Sequence, residues 1–147
     1  MMANDLIVPV ILAGGKGINV SRGLQLANIA APGIVPIGNA DPNVLERTGS
    51  GFLSPLWIEG TLRVSTTIVE YDGPTTKINE SPRPLKQADW DAVVALTEKT
   101  VLENEAQWLV VAGAHPQIEE TGEVIDLHPL FDRMKSLGVK VILDTSG

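Results

Sequence analysis

The chain has no cysteine among its 147 residues, which excludes disulfides and thiolate metal sites. It has only two histidines, His115 and His128, and their spacing does not match a zinc-binding pair. Aromatic residues make up 4% of the chain, and the three tryptophans are expected in the core or an interface rather than in a sugar-stacking platform. Basic residues are outnumbered, 11 to 18, and the formal charge of −7 argues against nucleic acid as the main partner.

Apolar segments long enough to cross a membrane are also lacking. The apolar run at residues 6–12 is too short to span a bilayer, and it has neither the basic start nor the cleavage site of a signal peptide. We therefore expect no membrane contact and a cytoplasmic location. The length and the hydrophobic fraction of 44% are those of one ordinary globular domain.

The most informative segment is Ala-Gly-Gly-Lys-Gly-Ile-Asn-Val at residues 13–20, between the apolar run and a helical pattern. The glycines permit a tight turn and close approach of backbone amides to a ligand. The helix that follows directs its N-terminal amides and partial positive charge to the same place. Lys16 adds a full charge and Asn19 a neutral donor and acceptor. The segment therefore suits a small, hydroxylated, anionic ligand.

Two common glycine loops do not match this segment. A P-loop requires Ser or Thr where Gly17 stands, and the dinucleotide fingerprint requires a third glycine where Val20 stands. On the loop alone, a strand-to-helix turn with purely steric glycines is an equal alternative. An unrelated Rossmann-like nucleotide binder is a weaker alternative, which predicts NAD or ATP at this loop.

Hydrophobic periodicity along the chain predicts alternating helices and strands, and hence an α/β fold. Asp72-Gly73 is a hairpin signal, and the final strand has the hydrophobic character of strands inside parallel sheets. Helices are predicted at 18–28, 42–47 (with Asp41 as its N-cap), 87–103 and 125–137, and strands at 6–12, 33–37, 62–71, 75–79, 108–112 and 139–143.

Five segments, in order, resemble the PfkB carbohydrate kinases, in particular the branch of 1-phosphofructokinase and tagatose-6-phosphate kinase. The glycine segment at 13–20 resembles the family's first signature, and Thr-Thr-Lys-Ile-Asn-Glu at 75–80 resembles a segment of that branch. The other three are the β-rich run from Arg63 to Glu70, the strand and turn at 108–116, and Val-Lys-Val-Ile-Leu-Asp-Thr-Ser-Gly at 139–147.

The resemblance implies a partial ribokinase-like (Rossmann-like) parallel sheet with helices on both faces, plus a small β lid hairpin within 53–80. Residues 1–147 would form the N-terminal portion of a kinase domain that is incomplete at both ends. The family's catalytic base belongs to a Gly-Ala-Gly-Asp motif expected beyond Gly147, so no catalytic residue is assigned and the isolated chain is expected to be inactive. ATP and Mg²⁺ would serve the full-length parent, and neither is expected to bind this chain well.

The implied activity is ATP-dependent phosphorylation of fructose 1-phosphate to fructose 1,6-bisphosphate, with this chain supplying the sugar-phosphate side. The implied substrate-binding residues are Gly14, Gly15, Lys16, Asn19, Arg63 and Lys77. A guanidinium such as that of Arg63 can fork onto phosphate oxygens. The alternatives without a role in ligand binding are an exposed charge at a sheet edge for Arg63 and solvent-exposed lysines for Lys16 and Lys77. The resemblance also implies a homodimer contact through the lid.

Some positions depart from the family pattern. Ser65 stands where the branch has asparagine, and the Ser-Gly-Ser-x-Pro turn has alanine in place of both serines, at Ala112 and Ala114. Because the catalytic motif is expected beyond Gly147, a rival hypothesis is a catalytically dead remnant that serves as a sugar-phosphate-binding module.

Overall fold

The computed structural model describes residues 11–70 and 73–145, and it has the predicted mixed α/β fold. Residues 6–10 of the first predicted strand, Asp72 of the hairpin turn and residues 146–147 lie outside the described residues. The elements are α1 (Lys16–Leu26), β1 (Gly33–Gly38), α2 (Val44–Arg47), β2 (Leu53–Ile58), β3 (Ser65–Val69), β4 (Thr75–Asn79), α3 (Gln87–Glu103), β5 (Trp108–Ala112), α4 (His128–Ser136) and β6 (Lys140–Asp144).

The described strands pair into three two-stranded sheets. β1 pairs with β2 and β5 pairs with β6, both in parallel, which is the arrangement predicted for the final strand. β3 and β4 form the predicted antiparallel hairpin, with Ser65 opposite Asn79 and Val69 opposite Thr75. The range 53–80, in which the lid hairpin was predicted, therefore has two parts. β2 belongs to a parallel sheet, and only β3 and β4 form the separate hairpin.

The helix termini differ from the predictions where a local backbone feature overrides the hydrophobic pattern. α1 begins at Lys16 rather than at residue 18, because Gly15, with a φ of 130°, has a non-helical conformation just before it. The helix ends at Leu26, before Asn28, which has a positive φ of 59°. α4 begins at His128 rather than residue 125, with Pro129 in its first turn, a position that proline favours. Gly138, at φ 71°, follows the end of α4, where glycine readily adopts the left-handed conformation.

α2 is shorter than predicted, and Asp41 is not its N-cap. The helix spans Val44–Arg47 with Asn43 at the N-cap position. The Asp41 carboxylate accepts the Asn43 N–H at 3.2 Å and pairs with Arg47 at 2.5 Å. Aspartate often bonds the backbone two residues ahead in this way, which forms a turn just before a helix.

The hydrophobic core lies between α3, α4 and the β5–β6 sheet. Met134 is fully buried, and the Trp90 indole N–H donates to the Asp126 carbonyl at 3.2 Å. The buried cluster consists of Trp90, Val94, Val101, Ile118, Ile125, Leu127, Leu130, Met134 and Val139. By contrast, Ser21 is the buried residue of α1. The apolar side chains of α1 are therefore left partly accessible.

Candidate functional site

The glycine loop leaves the N-terminus of α1 open to a ligand. Gly15 occupies the N-cap position at φ 130°, so no side chain caps the helix, and the first turn contains no acidic residue. The first intrahelical bond is donated by the Asn19 N–H to the Gly15 carbonyl at 2.9 Å. The amides of Lys16, Gly17 and Ile18 precede that bond and have no intrahelical acceptor. Together with the helix dipole, these donors favour an anion.

The loop is located at the carboxyl ends of the second parallel sheet. A Cβ placed on Gly17 would lie 3.6 Å from the carbonyl oxygen of Ala112, the last residue of β5. The Lys16 ammonium pairs at 3.2 Å with the carboxylate of Asp144, the last residue of β6. In open α/β sheets, ligands bind outside the carboxyl ends of the strands. The geometry therefore puts the predicted loop where such a fold binds ligands.

Arg22 braces the loop from within α1, a contribution that the sequence analysis missed. Its guanidinium donates to the Ala13 carbonyl at 2.5 Å and to the Asn19 side-chain oxygen at 3.0 Å. The same guanidinium lies 5.7 Å from the ring centroid of Phe52. The spacing of three residues between Asn19 and Arg22 was the available signal, because such pairs are neighbours on a helix. The side-chain oxygen of Asn19 therefore already accepts a hydrogen bond from Arg22, and its side-chain NH₂ group is the part left to contact a ligand.

Arg63 is anchored at the base of the hairpin. Its Nε–H donates to the Glu80 carbonyl at 2.6 Å, and the Glu80 carboxylate accepts the Val64 N–H at 2.9 Å. This clamp leaves the two terminal amino groups of the guanidinium without a hydrogen-bond partner among the described residues. Lys77 lies opposite Thr67 in the hairpin and is exposed.

A large open cleft of about 1910 Å³ separates the two parallel sheets. Four of the six predicted substrate-binding residues line it: Gly14, Gly15, Lys16 and Arg63. Asn19 and Lys77 do not line the cleft. The loop and Arg63 thus border the same large cleft, and Asn19 and Lys77 do not border it.

His115 also lines the cleft, just after the carboxyl end of β5. Its Nε2 is buried and has no hydrogen-bond partner within residues 11–70 and 73–145. An unpaired buried nitrogen of this kind destabilises a fold by about 1–3 kcal/mol. The sequence analysis considered this histidine only as a zinc ligand, and the spacing of the two histidines did not fit that role.

The second histidine forms an exposed pair away from the glycine loop. His128 Nδ1 lies 2.6 Å from the Asp126 carboxylate, which also accepts the His128 backbone N–H at 2.9 Å. The hydrogen bond and charge of Asp126 raise the pKa of His128. The backbone and side-chain hydrogen bonds from His128 lower the pKa of Asp126.

Two further features were searched for in the described part of the chain. Residues 11–70 and 73–145 contain no group of three or more His, Asp or Glu side chains that fits a metal ion. None of the helices in the same residues is long and apolar enough to cross a membrane.

Comparisons with known proteins show the fold of the chain. No protein-family model matches it, and no curated protein matches it in sequence. Among solved structures, it is similar to the crystal structure of a "possible 1-phosphofructokinase" from Thermotoga maritima, with a TM-score of 0.69 and 18% sequence identity. The match covers 99% of this chain and 46% of that protein, so the chain spans less than half of its length. The predicted α/β fold class is confirmed, because the structure matches part of the fold of that protein.

Proposed function

We propose that the chain is the sugar-phosphate-binding part of a PfkB-type carbohydrate kinase, with fructose 1-phosphate as the acceptor. One observation carries the proposal: the uncapped N-terminus of α1 and the Lys16 ammonium converge at the carboxyl ends of β5 and β6. A small phosphorylated sugar matches this combination of amide donors and positive charge. The fold shared with a possible 1-phosphofructokinase supports the same class of ligand.

In this proposal the residues of the chain position and neutralise the acceptor. The free amides of the α1 first turn donate to oxygens of the sugar phosphate, and Lys16, held by Asp144, adds charge at the same place. Arg63 offers its two terminal amino groups to phosphate oxygens, as guanidinium groups do in bidentate contacts. Phosphoryl transfer depends mainly on such positioning and charge neutralisation.

In the whole kinase, ATP would be the phosphoryl donor, and magnesium would neutralise charge on its phosphate oxygens. The described residues offer no acidic cluster for a metal ion, and we assign no residue of the chain to either group. The lid hairpin is proposed as a homodimer contact. Its partly exposed apolar side chains Ile68, Val69 and Ile78, with 49%, 73% and 58% of their surface accessible, support that role.

The proposal predicts saturable binding of fructose 1-phosphate to the purified chain in isothermal titration calorimetry. Lys16→Met should weaken binding by roughly tenfold or more, because a hydrogen bond to a charged group contributes about 1.5–3 kcal/mol. Lys99→Met is the matched control, since Lys99 is an exposed lysine that pairs with Glu103 along α3.

Three ligands serve as comparisons in the same experiment. Fructose and inorganic phosphate should each bind more weakly than fructose 1-phosphate, because each fills part of the site. NAD should not bind. Binding of NAD in place of the sugar phosphate would contradict the proposal and favour a nucleotide site at the glycine loop.

A further inference from the structure

β6 is bonded to another described strand on one side only, where it pairs with β5. The Lys140 N–H donates to the residue just before β5, and the Asp144 carbonyl accepts from the residue just after it, both at 3.0 Å. Because alternate residues of a strand direct their backbone groups to opposite sides, Lys140, Ile142 and Asp144 direct theirs to β5. Val141 and Leu143 therefore direct their N–H and C=O groups to the open edge.

The open edge of β6 is apolar at its centre and is not blocked. Ile142 and Leu143 have 47% and 46% of their surface accessible. β6 contains no proline, and its register with β5 is regular over its whole length, so it has no bulge. An edge of this kind invites pairing with another strand. The residues of β6 do not line the ligand cleft, so a strand paired here leaves the cleft open.

The charges of β6 favour a second copy of the same strand as the partner. The strand begins with Lys140 and ends with Asp144, and both share one face with Ile142. Antiparallel pairing of two copies about Ile142 puts each Lys140 opposite an Asp144. Opposite charges that face each other across two strands stabilise a sheet, whereas in-register parallel pairing would put like charges side by side.

The charged side chains at both ends of β6 are accessible to a partner strand. Lys16 contacts Asp144 at Oδ1, which leaves Oδ2 for a second cation, and the Asp144 side chain is 59% exposed. The Lys140 ammonium lies 4.8 Å from the ring centroid of Trp108, which is itself 53% exposed. Both charges are therefore at the surface of the molecule.

The backbone of the open edge fits the same antiparallel alignment. With Ile142 on the two-fold axis, Val141 of one copy lies opposite Leu143 of the other, and such a pair can exchange both of its N–H···O bonds. We propose that two copies of the chain associate through β6, in a sheet with the order β5, β6, partner β6, partner β5. Two-fold dimers of this kind are the commonest homo-oligomers. The inference stands independently of the ligand proposed above, and it uses a surface separate from the hairpin.

Amide hydrogen exchange, measured by NMR over a series of protein concentrations, tests the inference. The amides of Val141 and Leu143 should become protected as the dimer forms, whereas those of Ile142 and Asp144 should stay protected throughout because they face β5. Fast exchange of Val141 and Leu143 at every concentration would overturn the inference. Their protection in a chain that sediments as a monomer would assign the edge to another segment of the same chain, and would also overturn it.

Two charge reversals, followed by sedimentation velocity, provide a second readout. Lys140→Asp and Asp144→Lys should each raise the dimer dissociation constant by roughly tenfold or more, because both symmetry-related charge pairs become repulsive. An equimolar mixture of the two variants should associate as a heterodimer, in which every charge again faces its opposite. Variants that dimerise as tightly as the wild type, or a mixture of folded variants that does not associate, would overturn the inference.

Two control variants separate this contact from other effects. Lys99→Asp makes the same charge change at an exposed lysine of α3, and its dissociation constant should stay near that of the wild type. Val69→Lys adds a charge to the exposed hairpin, and association through β6 should persist in it. Loss of association in Val69→Lys would assign the dimer to the hairpin and overturn the inference. If Asp144→Lys does not fold, exchange in the wild-type chain decides the question.

Discussion

At the scale of single residues, Gly14 and Gly15 have different roles although they are adjacent. Gly15 has φ 130° and ψ 152°, a region of backbone conformation that is essentially restricted to glycine. Gly14 has no heavy atom within 4 Å of an added Cβ, so a side chain would fit there. The open α1 terminus therefore depends on Gly15.

This difference makes a paired prediction about stability. Gly15→Ala should lower the free energy of unfolding by about 1–3 kcal/mol, because alanine does not tolerate this φ. Gly14→Ala should leave it unchanged or raise it by up to about 1 kcal/mol, through the lower entropy of the unfolded chain. Urea denaturation of the two variants measures both values. Equal losses would show that Gly15 does not need its positive φ.

The pair formed by Asp126 and His128 predicts a pH dependence. Because Asp126 raises the pKa of His128, Asp126→Asn should bring that pKa down toward the ordinary value of about 6.5. Both groups are charged between the lowered pKa of Asp126 and the raised pKa of His128. The contribution of the pair to stability is lost below this window as Asp126 is protonated, and above it as His128 loses its proton. An NMR titration of the His128 ring checks the shift, and an unchanged pKa in the variant would contradict it.

At the scale of elements, α4 and α3 hold the core together through their facing apolar residues. Met134 on α4 is fully buried, whereas Leu102 on α3 is 57% exposed. Met134→Ala should destabilise the chain by about 2–5 kcal/mol, the usual range for a large buried residue cut to alanine. Leu102→Ala should have a much smaller effect. Chemical denaturation compares the two, and similar losses would contradict the described core.

Elements with a clear local sequence signal, such as helical periodicity or a turn dipeptide, were predicted correctly. α3 has the predicted bounds Gln87–Glu103, and the hairpin of β3 and β4 formed where Asp72-Gly73 indicated it. The ends of α1 and α4 were mispredicted, because Gly15 and Pro129 fix backbone geometry that hydrophobic periodicity does not report. A pattern of apolar residues identifies a helix more reliably than it locates its ends.

Long-range contacts at the candidate site were beyond the reach of the sequence. The glycine loop and Arg63 were recognisable from their own segments. The ion pair between Lys16 and Asp144 joins residues 128 positions apart, and only the folded sheet brings them together. The Arg22 bond to the Ala13 carbonyl was missed because it depends on the turn at Gly15. The Arg22 bond to Asn19 was within reach, because the two residues are three apart on one helix.

At the scale of the whole molecule, two parallel sheets share one cleft, and the hairpin stands apart. The buried hydrophobic cluster lies on α3, on α4 and in the segments that pack against these two helices. The glycine loop lies between this packed part and the open cleft. The molecule therefore joins a stable scaffold to a site with accessible donors, an arrangement common to binding sites on α/β folds.

The central claim is that the open end of α1 binds a phosphorylated sugar. The most direct measurement is an NMR titration of the ¹⁵N-labelled chain with fructose 1-phosphate. The account predicts saturable shifts of the Gly15, Lys16 and Gly17 amides, with little change for Gly138 at the far end of α4. Loop amides that do not move at saturating ligand, or that respond equally to chloride, would contradict it.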